Sequence, residues 1–436
     1  MGNVNRCGIV APSDKLLAQP ADFDQSDSGD ILRTSSGVVT NARHPIWLPA
    51  ATRPGAWPFA ILYSVESLSR ASIASIIPIQ AYDLLGDAQA VSMLYFAIGI
   101  AGVTATVAVP MLITRIARRR VYTIGALALI SAAAALSTFT RAGQAIGRFL
   151  RVFAASALAI TLNLYIMDFI RKRELISSES LRMTLSTFSW TLGPGFGVWL
   201  YMRFGIAAPY LWSAAWAAIL IAIFWYFRLT DGNPIRPGTL KPATPLTNIR
   251  RFIVQPRLRL AWLIAFGRSC YWTTFYIYAP ILMVVTGNGK LAGGMVVSAG
   301  NALLLSAFLW GRLGRRIGVR LVTVLSFLGL GLAALAAGIS GEANPRAAAV
   351  FLLAGINFAV ALDAVGSTPF LRAVHAYERP QMTAVYRTNL DMSDLLPPLI
   401  YSVILGFFGL GGVFVALAAF SLVCAWFCWC HLPRSM

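Results

Sequence analysis

Charge is scarce in this chain: Asp, Glu, Lys and Arg make up 12% of its 436 residues, and only 17 of those are acidic. A soluble domain carries roughly 25% charged residues, so a surface turned mainly to water is excluded. Histidine is rarer still, with three residues, His44, His375 and His431, none with the neighbours of a catalytic base or a zinc pair. The sequence has no phosphate-cradling glycine loop and no nucleophile elbow, so neither enzyme chemistry nor a cofactor is expected. The five cysteines, Cys7, Cys270, Cys424, Cys428 and Cys430, show no paired framework and are expected to be reduced. Cys424, Cys428, Cys430 and His431 crowd the end of the chain, where they read either as a soft-metal site or as small apolar residues. Alternating ten-residue strands are missing too, which excludes a membrane barrel.

What remains is apolar. Hydrophobic residues make up 57% of the chain, in runs longer than a soluble core requires. A helix needs about 20 apolar residues to cross roughly 30 Å of hydrocarbon. Twelve segments qualify: 57–80, 90–113, 120–138, 144–170, 186–204, 209–229, 259–285, 292–313, 319–340, 347–370, 386–408 and 411–431. The net charge of +19 suggests nucleic acid until its placement is considered. With both termini in the cytoplasm, the inner connections hold 22 Lys and Arg, and the outer ones only Arg141, Arg203, Lys290 and Arg346. That bias sets the topology by the positive-inside rule. It points to a multi-pass protein of the cell (inner) membrane, with anionic headgroups as partner on the cytoplasmic side and no nucleic acid.

The layout of the first half returns about 200 residues later. Glu66 precedes Pro78 by twelve residues, as Arg268 precedes Pro280, and the basic clusters at Arg115 and Arg316 follow those prolines by 37 and 36. Phe169, Met183 and Pro194 are answered by Phe370, Met382 and Pro397 at offsets of 201, 199 and 203. A long repeat in an apolar chain marks a two-fold transporter. The expected organisation is a disordered cytoplasmic tail (1–53), a six-helix bundle (54–229), a proline-broken cytoplasmic linker (230–258) and a second six-helix bundle (259–432).

After the eighth span, Gly311, Leu313, Gly314, Arg316, Gly318 and Arg320 resemble the loop motif of the major facilitator superfamily, although Arg315 stands where that family has an acid. After the second span Leu112, Arg115 and Arg119 fit the same motif, with Thr114 in place of the acid. Arg148 to Ala155 resembles the family's buried-arginine stretch, and Gly193-Pro194-Gly195-Phe196-Gly197 its glycine-proline motif, frequent in antiporters. The resemblance covers about 55–432 and implies an all-α fold of twelve transmembrane helices in two pseudo-two-fold-related bundles. It also implies gating roles for Arg115, Arg119, Gly193, Pro194, Gly197, Gly311, Arg316, Gly318 and Arg320, and the missing acids mark a departure from the family's usual loop latch. Asp168 with Arg171 and Arg173, and Glu378 with Arg379 and Arg387, sit at cytoplasmic helix ends, where they read either as gating ion pairs that break during rocking or as solvated loop charges.

A charge at mid-bilayer costs about 2.5–3.5 kcal/mol on insertion scales, so each needs a partner or a watery cavity. Glu66 and Arg268 lie near the midplane of equivalent helices, and the resemblance implies that they face each other; Arg70 is one turn from Glu66. Arg148 is favoured for the cavity over Arg151, and Asp363 reads as a second coupling acid or an arginine's partner. Asp391 and Asp394 are expected near the inner end of their span as gate or interface charges. Arg268, Tyr271, Phe275 and Tyr278 share one helix face, either as a cradle for an aromatic ligand or as packing. Arg70, Arg148, Arg151 and Arg268 outnumber Glu66 and Asp363 by two, which favours an anionic substrate. The function expected is secondary active transport of a small organic anion or amphipathic compound, with protons as the coupling ion, by a monomer working as an exporter. The alternatives are a proton-independent anion exchanger or uptake permease and, in another class, a non-transporting assembly or sensor protein.

Overall fold

Backbone amides inside a bilayer find no water, so hydrogen bonding within each segment makes helix the expected outcome. The computed structural model describes residues 55–170, 175–227, 245–374 and 379–433, with no strand among them. All of them fall in one compact unit. The predicted tail, Arg171, Arg173, Glu378 and the first part of the predicted linker lie outside the described residues.

The first span is broken. Helix α1 (Ala56–Ser72) and helix α2 (Ile76–Leu85) are separated by a turn. Pro78 follows the break, and its ring would crowd the Ala74 carbonyl in a continuous helix, although Pro110, Pro194, Pro280 and Pro397 leave their helices unbroken. Asp87 caps α3 (Ala88–Arg115), its carboxylate accepting from the N–H groups of Gln89 and Ala90 at 3.1 and 3.3 Å. Then follow α4 (Arg118–Ser137), α5 (Arg141–Phe169), α6 (Leu175–Phe204) and α7 (Ala207–Tyr226). Part of the predicted linker folds as α8 (Pro245–Val254) and packs on its neighbours; Pro245 enters at the first position, where a missing N–H is harmless.

The second half begins with α9 (Pro256–Val285), which runs unbroken through Pro280, and α10 (Lys290–Ala302). A 3-10 turn leads to α11 (Ala307–Ile317), and Gly318, at φ 90°, turns the chain into α12 (Val319–Ser340). The rest is α13 (Pro345–Val365), α14 (Thr368–Ala373), α15 (Arg379–Leu405) and α16 (Leu410–His431). Among the described residues, nine helical segments are long and apolar enough to cross a bilayer. The other three predicted spans lie in α6, α9 and α15, which are 30, 30 and 27 residues long and more polar.

Most packing stays within a half. In the first, α1 lies on α6 and α7, and α4 on α5 and α7, around Phe59, Leu62, Tyr122, Tyr165 and Phe224. In the second, α12 packs on α13 and α16, and Gly331 and Gly338 leave room for the backbone of α16. The halves meet where α3 lies on α15 and α6 on α10. The sequence repeat equates α3 with α10–α11 and α6 with α15, so exchanging the halves turns one seam into the other.

Candidate functional site

The site lies between these seams, in a cavity of about 300 Å³. The first half contributes Arg70, Tyr95, Arg148, Arg151 and Trp190; the second contributes Thr273, Tyr276, Asp391 and Asp394. Arg148 and Arg151, three apart on α5, share a helix face. The Arg148 guanidinium lies 3.3 Å over the Tyr95 ring, a cation–π contact. Arg151 donates to the Arg70 carbonyl at 3.1 Å. That carbonyl is available because α1 stops: the Ala74 N–H, its helical partner, bonds Ala71 at 3.1 Å instead. Both arginines border the cavity, whereas the sequence favoured only Arg148.

Behind this wall lies Glu66, 0% exposed. One oxygen accepts from Arg70 Nη1 at 3.0 Å, and Oε2 has no hydrogen-bond partner among the described residues. Nearby, Arg182 lies 4.5 Å over the Tyr63 ring, pairs with Glu179 at 2.7 Å and donates to Asn163 at 2.9 Å. Arg182 precedes the span expected from 186, but α6 begins at Leu175 and includes it. The i, i+3 spacing of Glu179 and Arg182 was the available signal.

Arg268 pairs with Asp363 at 2.5 Å, and the other Asp363 oxygen accepts from Trp272 Nε1 at 3.0 Å. Glu66 and Arg268 thus each hold a partner within their own half. Neither Arg268 nor Asp363 is among the cavity-lining residues.

The expected aromatic stripe is divided from the cavity. Tyr271 is buried, donates to the Leu352 carbonyl at 2.9 Å and lies against Gly355; Phe275 fills the space beside Gly300. Tyr278 reaches Ser92 across the seam at 2.6 Å. The neighbouring face of α9, with Thr273 and Tyr276, borders the cavity instead, and Tyr276 meets Trp190 with ring centroids 5.6 Å apart.

Asp391 and Asp394 require a correction. They are cavity residues, not charges at a helix end, because α15 starts at Arg379 and places them near its middle. Asp394 is exposed to the cavity and accepts from Thr273 at 3.1 Å. With them included, Glu66, Asp363, Asp391 and Asp394 equal Arg70, Arg148, Arg151 and Arg268 in number, and the positive surplus inferred for that set disappears.

Of the expected gating residues, Gly193 and Gly197 sit against the last turn of α1, at Ala71 and Ser72. Between them, Gly195 N–H donates to Ser298 of α10 at 2.8 Å, and the Pro194 carbonyl is 3.2 Å from where a Cβ on Gly294 would lie. Lys290 pairs with Asp83 across the halves at the same end of the molecule. Asp168 pairs with Arg118, Arg119 lies 3.8 Å over Trp225, and Arg320 donates to the Trp429 carbonyl at 2.6 Å. Arg115 and Arg316 are exposed, and Gly311 has open space around it. Among the described residues no group of three His, Cys, Asp or Glu could hold a metal.

A polytopic helical protein whose two halves enclose a charged cavity is, by architecture, of the membrane-transporter class. The family model of the Major Facilitator Superfamily matches residues 59–386, and the chain belongs to that family. Its fold is similar to that of a mutant form of the nucleoside transporter NupG, with a TM-score of 0.70 and 12% identity over 87% of this chain and 100% of that one. A POT family transporter in complex with thioalcohol conjugated peptide gives 0.69 and 12% over 87% and 96%. A D-xylose-proton symporter gives 0.65 and 12% over 87% and 98%. No curated protein matches by sequence.

Proposed function

We propose that the chain is a secondary active transporter that moves a small organic molecule bearing an anionic group, by alternating access of its two halves, with a proton exchanged at Glu66. The carrying observation is a fully buried carboxylate one turn from an arginine of the cavity wall. While Glu66 is ionised, it holds Arg70 at 3.0 Å. Protonation releases the guanidinium, whose planar fork suits a carboxylate or phosphate. Proton occupancy and substrate occupancy are therefore linked through one side chain, and the linkage is reciprocal.

The test is flux in proteoliposomes under an imposed pH gradient, with a panel of organic acids. Wild type is expected to show gradient-driven flux, and Glu66→Gln to keep binding while losing the response to the gradient. Substrate leaving as protons enter marks export by exchange, and movement together marks cotransport. A response unchanged in Glu66→Gln removes the coupling role. Flux that needs only a counter-anion identifies an exchanger, and no flux with any compound points to an assembly or sensor protein.

A further inference from the structure

The two walls of the cavity carry opposite signs. On the first half Arg70 is matched by Glu66, which leaves Arg148 and Arg151 facing the cavity on α5. Their contacts are the Tyr95 ring and the Arg70 carbonyl, neither of which carries a formal charge. On the second half Asp394 faces the same space, with Asp391 one turn away on α15. Asp394 accepts from Thr273 and forms no ion pair among the described residues. Arg148 and Arg151 thus face Asp394 across the seam between the halves, and no ion pair joins them among the described residues.

We propose, resting on the reading of this cavity as the transport site, that its substrate is a small zwitterion. The anionic group meets Arg148 and Arg151, and a protonated amine meets Asp394. Size agrees: about 300 Å³ corresponds to on the order of ten water volumes, at the small end of ligand pockets. Tyr276 and Trp190 offer ring faces to the part between the two charges. The physical reason for two charges is conformational. A ligand shifts an equilibrium between states only by its differential affinity for them. A molecule that grips both walls gains most where the halves approach, so it favours closure around itself. A singly charged compound holds one wall and leaves the opposite charge unpaired in a partly desolvated space.

The test uses matched sets of probes on several scaffolds. One set is phenylalanine, 3-phenylpropionate and phenethylamine; the others are alanine, propionate and ethylamine, and 5-aminopentanoate, pentanoate and pentylamine. Binding to purified protein is read by tryptophan fluorescence, and flux in proteoliposomes. In at least one set the zwitterion is expected to bind tenfold or more tightly than either singly charged partner. Asp394→Asn should remove that preference and leave the acid as the better ligand. Arg148→Gln should do the reverse and favour the amine. Gel-filtration profile and thermal unfolding confirm that each variant is folded, and either variant alone suffices. A wild type that prefers the acids throughout, with selectivity unmoved by Asp394→Asn, overturns the zwitterion while leaving anion transport standing. Failure of every charged probe to bind or move overturns both.

Discussion

Removing Arg70 would leave Glu66, 0% exposed, without its ion-pair partner. Breaking a buried pair from one side costs about 3–5 kcal/mol, while replacing both partners can be nearly neutral; Arg70 is itself 25% exposed, which places the cost toward the lower end. Arg70→Gln should therefore unfold at a clearly lower temperature in detergent, and Glu66→Gln/Arg70→Gln should recover most of the loss. Equal instability of the single and double variants would show that the pair is not what matters. The sequence made Glu66 and Arg70 legible because helical i, i+4 geometry needs no tertiary information. The pairing of Arg268 with Asp363 depends on how α9 meets α13, which no spacing along the chain encodes.

For single elements, the sequence located spans well and their ends less well. Hydropathy put the fifth and eleventh spans at 186 and 386, whereas α6 starts at Leu175 and α15 at Arg379. Both extensions carry charged residues that a hydropathy window penalises even when they continue a helix. The late start put Asp391 and Asp394 near a helix end instead of near the middle, and it left Arg182 outside the expected span. The glycine-proline motif of α6 was legible from its residue types, and its partner was not. Gly197 faces the Ser72 carbonyl with no room for a side chain, while Gly311 has nothing within 4 Å. Gly197→Val is accordingly expected to abolish flux and Gly311→Ala to leave it within about twofold, since a surface change of this kind stays near neutral. Comparable activity of the two variants in proteoliposomes would argue against close α1–α6 contact.

Across the whole molecule, the seams at α3–α15 and α6–α10, with the Lys290–Asp83 pair, hold the halves together. The two side chains of that pair are 31% and 22% exposed, so the bridge is worth about 1 kcal/mol or less. That is enough for a several-fold change in a two-state population. Asp83→Lys should raise the reaction of Ile98→Cys, on the cavity wall, with a membrane-impermeant thiol reagent added from the Asp83 side. Asp83→Lys/Lys290→Asp should bring the rate back toward its starting value. A rate indifferent to the charge reversal would mean that the bridge plays no part in limiting access to the cavity from that side.

The halves differ in one respect that affects any such motion. α1 and α2 are separate rods joined by a turn below Pro78, whereas α9 is a single rod through Pro280. Equal tilting of the two bodies would therefore be taken up unequally: the first can flex at its elbow, with α2 lagging behind α1, while the second must swing as a stiff lever from end to end.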